Sequence, residues 1–202
     1  MRSLFCLILL ILSASNTFAQ DVSHSDWSGL YVGVQTGNGS MDFRDIRPAN
    51  PPHTYEYSYK QKQNFQGGHI GYQYDFGKLV IGAELTRDII NVSFDTPNLN
   101  SINGKFTRDG RILTMGYDSG KALTYFGFGS TQISNSDFVT ASSHAGKQFV
   151  FGITYKLSKH FLLGARYETT KYEDFDRFRT NALPAPSKLD NEAFQVRLSY
   201  KF

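Results

Sequence analysis

The residues able to do chemistry in this chain are few and scattered. The histidines His24, His53, His69, His144 and His160 include no two that are three or four apart, and no His-Glu-x-x-His run exists, so no zinc-binding helix face is encoded. The single cysteine, Cys6, lies near the start of an apolar run, which leaves the remainder of the chain without a thiol for disulfides, thiolate catalysis or metal ligation. Ser142-Ser143-His144 sets a hydroxyl beside an imidazole, but on a polar stretch where such a pair reads as loop. No catalytic residue, metal ligand or cofactor is assigned. What remains is a set of charged residues, Glu84, Arg166, Glu168 and Arg197, each on the polar face of an alternating segment. Carboxylates and guanidiniums brought together inside a protein can form paired networks.

Strands would have to bring these charges together. The last nine residues place Phe194, Val196, Leu198, Tyr200 and Phe202 at every second position, with Gln195, Arg197, Ser199 and Lys201 between them. Strict period-two alternation marks a strand with one apolar and one polar face. A strand that ends on an aromatic residue suits the closing strand of a transmembrane barrel, which faces lipid on one side and the lumen on the other.

Eight segments of about ten residues, the length that crosses an outer membrane at a tilt, can be read this way. They run near 27–37, 64–76, 79–89, 106–117, 122–131, 148–157 and 161–169, followed by the terminal strand. In the fifth, Phe126 and Phe128 are placed outward and Gly127 and Gly129 inward. Tight connections at Gly77-Lys78, Asp118–Lys121 and Ser158–His160 alternate with long ones near 38–63, 90–105, 132–147 and 170–191. Short turns on one side and long polar loops on the other is the asymmetry of an outer-membrane barrel, with both termini in the periplasm and four long extracellular loops.

Composition agrees. Aromatic residues make up 15% of the chain while the mean hydropathy is negative, as expected when only half of each strand faces lipid. A net charge of +3 is too small and dispersed for nucleic-acid binding. Arg2, the apolar run Leu4–Leu12 and Thr17-Phe18-Ala19 resemble an export signal, so residues 1–19 are expected to be a signal peptide and 20–202 the barrel domain.

Trp27-Ser28-Gly29-Leu30-Tyr31-Val32-Gly33, Gly67-Gly68-His69-Ile70-Gly71-Tyr72, Gly82-Ala83-Glu84, Gly116-Tyr117 and Leu198-Ser199-Tyr200-Lys201-Phe202 together resemble the small porin-family or opacity-type surface proteins of Gram-negative bacteria. The resemblance implies an all-β, eight-stranded antiparallel up-and-down transmembrane barrel similar to OmpA and OmpX, located in the bacterial outer membrane. It implies outer-membrane lipid and lipopolysaccharide as surroundings, and barrel-assembly machinery reading the terminal strand at Leu198, Tyr200 and Phe202. The sequence stops at the barrel, so no periplasmic peptidoglycan-binding domain is expected.

Such a barrel is just wide enough for side chains to fill it. Glu84, Arg166 and Arg197 fall at similar heights, ~13 Å above the periplasmic rim for a rise of ~3.4 Å per residue and a tilt near ~40°. Glu84 is therefore expected to pair with Arg166 or Arg197, with Glu168 joining the network. Inward glycines at 33, 71, 82, 116, 152 and 164 leave room for these long side chains.

Tyr55, Tyr57 and Tyr59 alternate with polar residues, which suggests that the first hairpin continues above the membrane as a ribbon. These tyrosines and Tyr172, Phe175, Arg177, Phe178 and Arg179 in the fourth loop are candidates for binding a host protein, a glycan or haem, or for an aromatic girdle. The expected role is a non-enzymatic surface protein that supports the envelope and binds through its loops. The alternative is a small porin. A lipid A-modifying enzyme, which shares this scaffold, is disfavoured because the pattern of a histidine shortly before a Ser-Asn pair is missing.

Overall fold

The computed structural model describes residues 26–48, 54–96, 99–135, 143–173 and 188–202. They form eight strands: β1 (Gly29–Pro48), β2 (Thr54–Asp75), β3 (Leu79–Thr96), β4 (Leu99–Asp118), β5 (Ala122–Asn135), β6 (Ser143–Lys156), β7 (Phe161–Glu173) and β8 (Lys188–Lys201). Each strand pairs antiparallel with its neighbour in sequence, and β1 pairs with β8 from Tyr31↔Lys201 to Arg44↔Lys188, which closes the barrel. Closure leaves no free sheet edge in the shared wall, the condition for crossing a membrane with strands.

The turns at one end are built by local chemistry. Asp75 and Asp118 each accept a hydrogen bond from the amide two residues on, Gly77 N at 2.8 Å and Gly120 N at 2.6 Å. Those glycines have φ of 102° and 91°, a region that L side chains rarely adopt, so Asp-x-Gly specifies both turns. The third turn uses Ser158 Oγ, which accepts from Phe161 N at 3.1 Å. We call this the turn end and the opposite side the hairpin end.

Near the turn end the alternation is that of a membrane wall. Leu30, Val32, Val34, Ile70, Tyr72, Leu85, Leu113, Phe126, Phe128, Phe149, Leu163 and Leu198 are exposed, while their neighbours point into the lumen. Phe126 and Phe128 face outward and Tyr125 inward, as the fifth segment was read.

The strands are longer than the sequence segments, and most of the residues first read as loops are strand. β1 and β2 pair as far as Pro48↔Thr54, and β3 and β4 to Thr96↔Leu99. The reason is an inversion of polarity along each strand. Beyond the apolar band Lys105, Lys147 and Lys171 face outward, and Phe106, Gly146 and Tyr172 face inward. A reading that assigns apolar residues to the outside loses phase at that point, because there the exterior meets water and the interior is dry.

Met41 on β1 is fully buried in the lumenal core, whereas the ribbon beyond Arg44↔Ser58 has no β8 partner among the described residues. Replacing 45–57 with an Asn-Gly turn should therefore leave heat-modifiable gel migration unchanged. Replacing 39–63 the same way removes Met41 and should lower the urea midpoint of unfolding; equal behaviour of the two deletions would contradict the placement of Met41.

Candidate lumenal charge site

Four layers fill the barrel from turn end to hairpin end. The first is an apolar floor of Trp27, Val80, Leu123 and Leu162, whose cluster continues beside the charges through Tyr125, through Ile112, which pairs with Glu84 in the β3–β4 ladder, and through Val150, which pairs with Glu168 in the β6–β7 ladder. Trp27 is fully buried with Lys156 Nζ 4.1 Å above its ring, and Lys156 and Lys201 both donate to the Asp26 carbonyl, at 2.9 and 2.7 Å. Residues 26–28 thus fold across the turn end.

The second layer is ionic. Glu84 on β3 accepts from Arg166 Nη2 of β7 at 2.6 Å through Oε1, and from Arg197 Nη2 of β8 at 2.7 Å through Oε2. Tyr31 OH on β1 donates to the same Oε2 at 2.9 Å, and Tyr125 OH on β5 accepts from Arg166 Nε at 3.2 Å. Glycines on the facing strands make this geometry possible: a Cβ on Gly71 would lie 2.4 Å from Tyr31 OH, and one on Gly152 2.6 Å from the Tyr125 ring. The structure brings Glu84, Arg166 and Arg197 together at one height.

The third layer is also ionic. Arg108 on β4 donates to Asp88 Oδ2 on β3 through Nη2 at 2.7 Å and Nε at 3.3 Å, and to Glu168 Oε1 on β7 through Nη1. Gln35 Nε2 donates to Asp88 Oδ1 at 2.6 Å, Gln148 Nε2 to Glu168 Oε2 at 2.9 Å, and Gln195 Nε2 to the same oxygen. Glu168 therefore pairs with Arg108 one level above the Glu84 layer instead of with Arg166 or Arg197. Sequence reading missed Arg108. The signal was available, since Arg108 shares the parity of Ile112 on β4, but the fourth segment alternates cleanly only from Leu113 onward.

Above this sits an apolar ceiling of Met41, Phe65, Ile90, Val92, Phe106, Ile133, Tyr172, Leu189 and Ala193. Tyr172, a candidate for loop binding, is 1% exposed and belongs to this ceiling, so its ring is not presented at the surface. It is inward because it shares parity with Glu168 and Thr170. The strand portion of the first hairpin includes Tyr55, Tyr57 and Tyr59. Phe175, Arg177, Phe178 and Arg179 lie outside the described residues. Leu198, Tyr200 and Phe202 face outward on the closing strand, with Tyr200 edge-on to Phe161 and Phe202.

The remaining chemical candidates are separated. His69 is buried with Nε2 2.8 Å from Ser199 Oγ. His144 points into the lumen, whereas Ser143 faces out and accepts from Gln132 Nε2 at 2.5 Å. Among the described residues no three of His, Cys, Asp and Glu gather as a metal site. Within the Glu84 layer a cavity of about 30 Å³ remains, room for about one water molecule.

The sequence matches the family of outer membrane protein beta-barrel domains over residues 4–202. The chain belongs to that family. Among solved structures this outer-membrane barrel is similar to Neisserial surface protein A, with a TM-score of 0.51 and 15% identity over 87% of this chain and 98% of that one. It is also similar to Ail, the attachment invasion locus protein of Yersinia pestis, solved with the heparin analogue sucrose octasulfate (TM-score 0.46, 13% identity, 86% and 99% covered). OprG from Pseudomonas aeruginosa gives a TM-score of 0.45 and 12% identity over 90% and 99%. At such identities the likeness is one of fold. No curated protein sequence matches. An eight-stranded barrel of this family resides in the bacterial outer membrane.

The two ionic layers differ in redundancy. Arg108→Met leaves Asp88 and Glu168 buried without a cation and should cost ~3–5 kcal/mol, while Arg166→Met leaves Glu84 with Arg197 and should cost less than half of that. Urea unfolding in detergent micelles, followed by Trp27 fluorescence, measures both. Equal losses would contradict the assigned pairing.

Proposed function

We propose that this barrel is a closed, non-catalytic scaffold that anchors in the outer membrane, adds to envelope integrity and presents its hairpin end outside the cell for binding. In this orientation the turn end and both termini are periplasmic, residues 1–19 are the export signal, and assembly machinery reads Leu198, Tyr200 and Phe202. The observation that carries the reading is the filled lumen: apolar layers close both ends of a paired ionic middle, and the cavity within it is about 30 Å³. A scaffold that does not conduct leaves its hairpins as the part that can meet other molecules. The porin alternative requires all four layers to rearrange.

The ligand class favoured by the described surface is a polyanionic glycan. Lys60, Lys62, Lys105, Lys147, Lys171 and Lys188 are all exposed on the outer face above the apolar band, against Asp42, Asp190 and Glu192 on the same side. Lys147 and Lys171 stand opposite each other in the β6–β7 ladder and the others ring the barrel on β2, β4 and β8. Such a ring of cations attracts sulfated or phosphorylated chains without needing a deep pocket. Lipopolysaccharide is the anionic surrounding at the foot of these hairpins.

Heparin-column retention of the refolded barrel tests the binding half of the proposal. Wild type should be retained, and the K60S/K62S/K105S variant should elute at clearly lower salt with unchanged gel migration. Equal elution of the two proteins, or no retention of wild type, would contradict it.

A further inference from the structure

The ladders join exposed residues of successive strands into rows on the outer wall. One row runs from Ile70 on β2 through Leu85, Arg111 and Ser130 to Lys147 on β6 and Lys171 on β7. It is apolar at one end and cationic at the other. On its turn side the next row is Tyr72, Ala83, Leu113 and Phe128. Ala83 offers only a methyl group between Tyr72 and Leu113, and a groove of about 470 Å³ opens there, with Arg111 and Ser130 among its lining residues.

Arg111 stands seven residues from Asp118, and Lys147 nine from Lys156. For a rise of ~3.4 Å per residue and a tilt near ~40°, they lie ~18 and ~23 Å from the turn end, in the upper part of an apolar band ~25 Å tall. A cation facing lipid at that depth is costly unless an anion meets it. Asp109, the next outward residue of β4, is engaged through both oxygens by Arg87, at 2.7 and 2.9 Å. Asp190, opposite Lys171, stands four strands from β4. The wall around Arg111 therefore carries surplus positive charge beside an apolar groove.

We propose that this groove seats an acyl chain of lipid A, the phosphorylated glycolipid of lipopolysaccharide, with one phosphate held over Ser130 by Arg111 and Lys147. Neighbouring strands are ~4.8 Å apart, so both cations flank Ser130 within reach of one phosphate. Guanidinium, ammonium and hydroxyl all donate to phosphate oxygens. A zwitterionic headgroup would bring its own ammonium against this cluster. The choice of lipid A rests on the orientation proposed above, in which the groove opens to the outer leaflet.

Native mass spectrometry of the refolded barrel in mild detergent, titrated with purified lipid A, tests the site. Wild type should form a one-to-one complex. Arg111→Gln, which removes the charge, and Ala83→Leu, which fills the groove, should each weaken it at least tenfold with heat-modifiable migration unchanged, and lipid A stripped of its phosphates should bind as weakly. No complex with wild type, equal binding by wild type and both variants, or phosphatidylglycerol bound as tightly as lipid A would overturn the proposal. Orientation is read separately. A Lys159→Cys turn should resist a membrane-impermeant maleimide on intact cells, and its labelling would overturn both the orientation and lipid A as the occupant, whereas a protected turn with no complex would overturn the site alone.

Discussion

In the middle of the lumen stand three carboxylates, Glu84, Asp88 and Glu168, and three arginines, Arg108, Arg166 and Arg197, all shielded from solvent. An ion stripped of water costs several kcal/mol unless partners replace its hydration, so these six side chains constrain everything around them. Most of their pairs join strands that are not neighbours: Glu84 links β3 to β7 and β8, and Arg108 links β4 to β7 as well as to its neighbour β3. A shift of one residue in any of these strands would turn a charge toward lipid and leave its partner bare. Register around the barrel is thus held by interactions across it as well as by the backbone ladder. The glycines opposite Tyr31 and Tyr125 belong to the same constraint, because without that space the rings could not reach the ions.

The second organising fact is that one strand serves two solvents. Along β3, Leu79, Ile81 and Leu85 face outward and Glu84 and Asp88 inward, and farther on Asn91 faces outward with Ile90 and Val92 inward. The first half behaves as a membrane wall around a polar filling. The second half behaves as a water-soluble barrel around an apolar core. The ionic layers sit where the two regimes meet, sealed on the hairpin side by the ceiling and on the turn side by Trp27 and its neighbours. That arrangement is a plug built from both kinds of packing, which distinguishes it from a water-filled lumen with charged walls.

The fold was legible because period-two alternation with outward aromatics persists through the lipid-facing half, and because Asp-x-Gly marks two of the turns. Glu84, Arg166 and Arg197 could be brought together by counting residues from the strand ends, since all three lie in that half. Arg108 could not, because it stands where outward residues are already polar and the inward ones are turning apolar, so neither face of β4 identifies itself there. Tyr172 was misplaced for the same reason. An aromatic beyond the membrane reads as a loop ligand unless the reader knows that the lumen has become the dry side. No local pattern signals where that change occurs; it depends on how far the ceiling residues of seven strands fill the interior together.

The central claim is that these layers close the lumen to ions. The most direct test is single-channel recording of the refolded wild-type protein in a planar lipid bilayer. Wild type should show no steady current above the bare bilayer at moderate voltage, since ions would have to cross two apolar layers and break buried pairs between them. Reproducible, long-lived openings of wild type under the same conditions would contradict it and make the lumen a path for solutes.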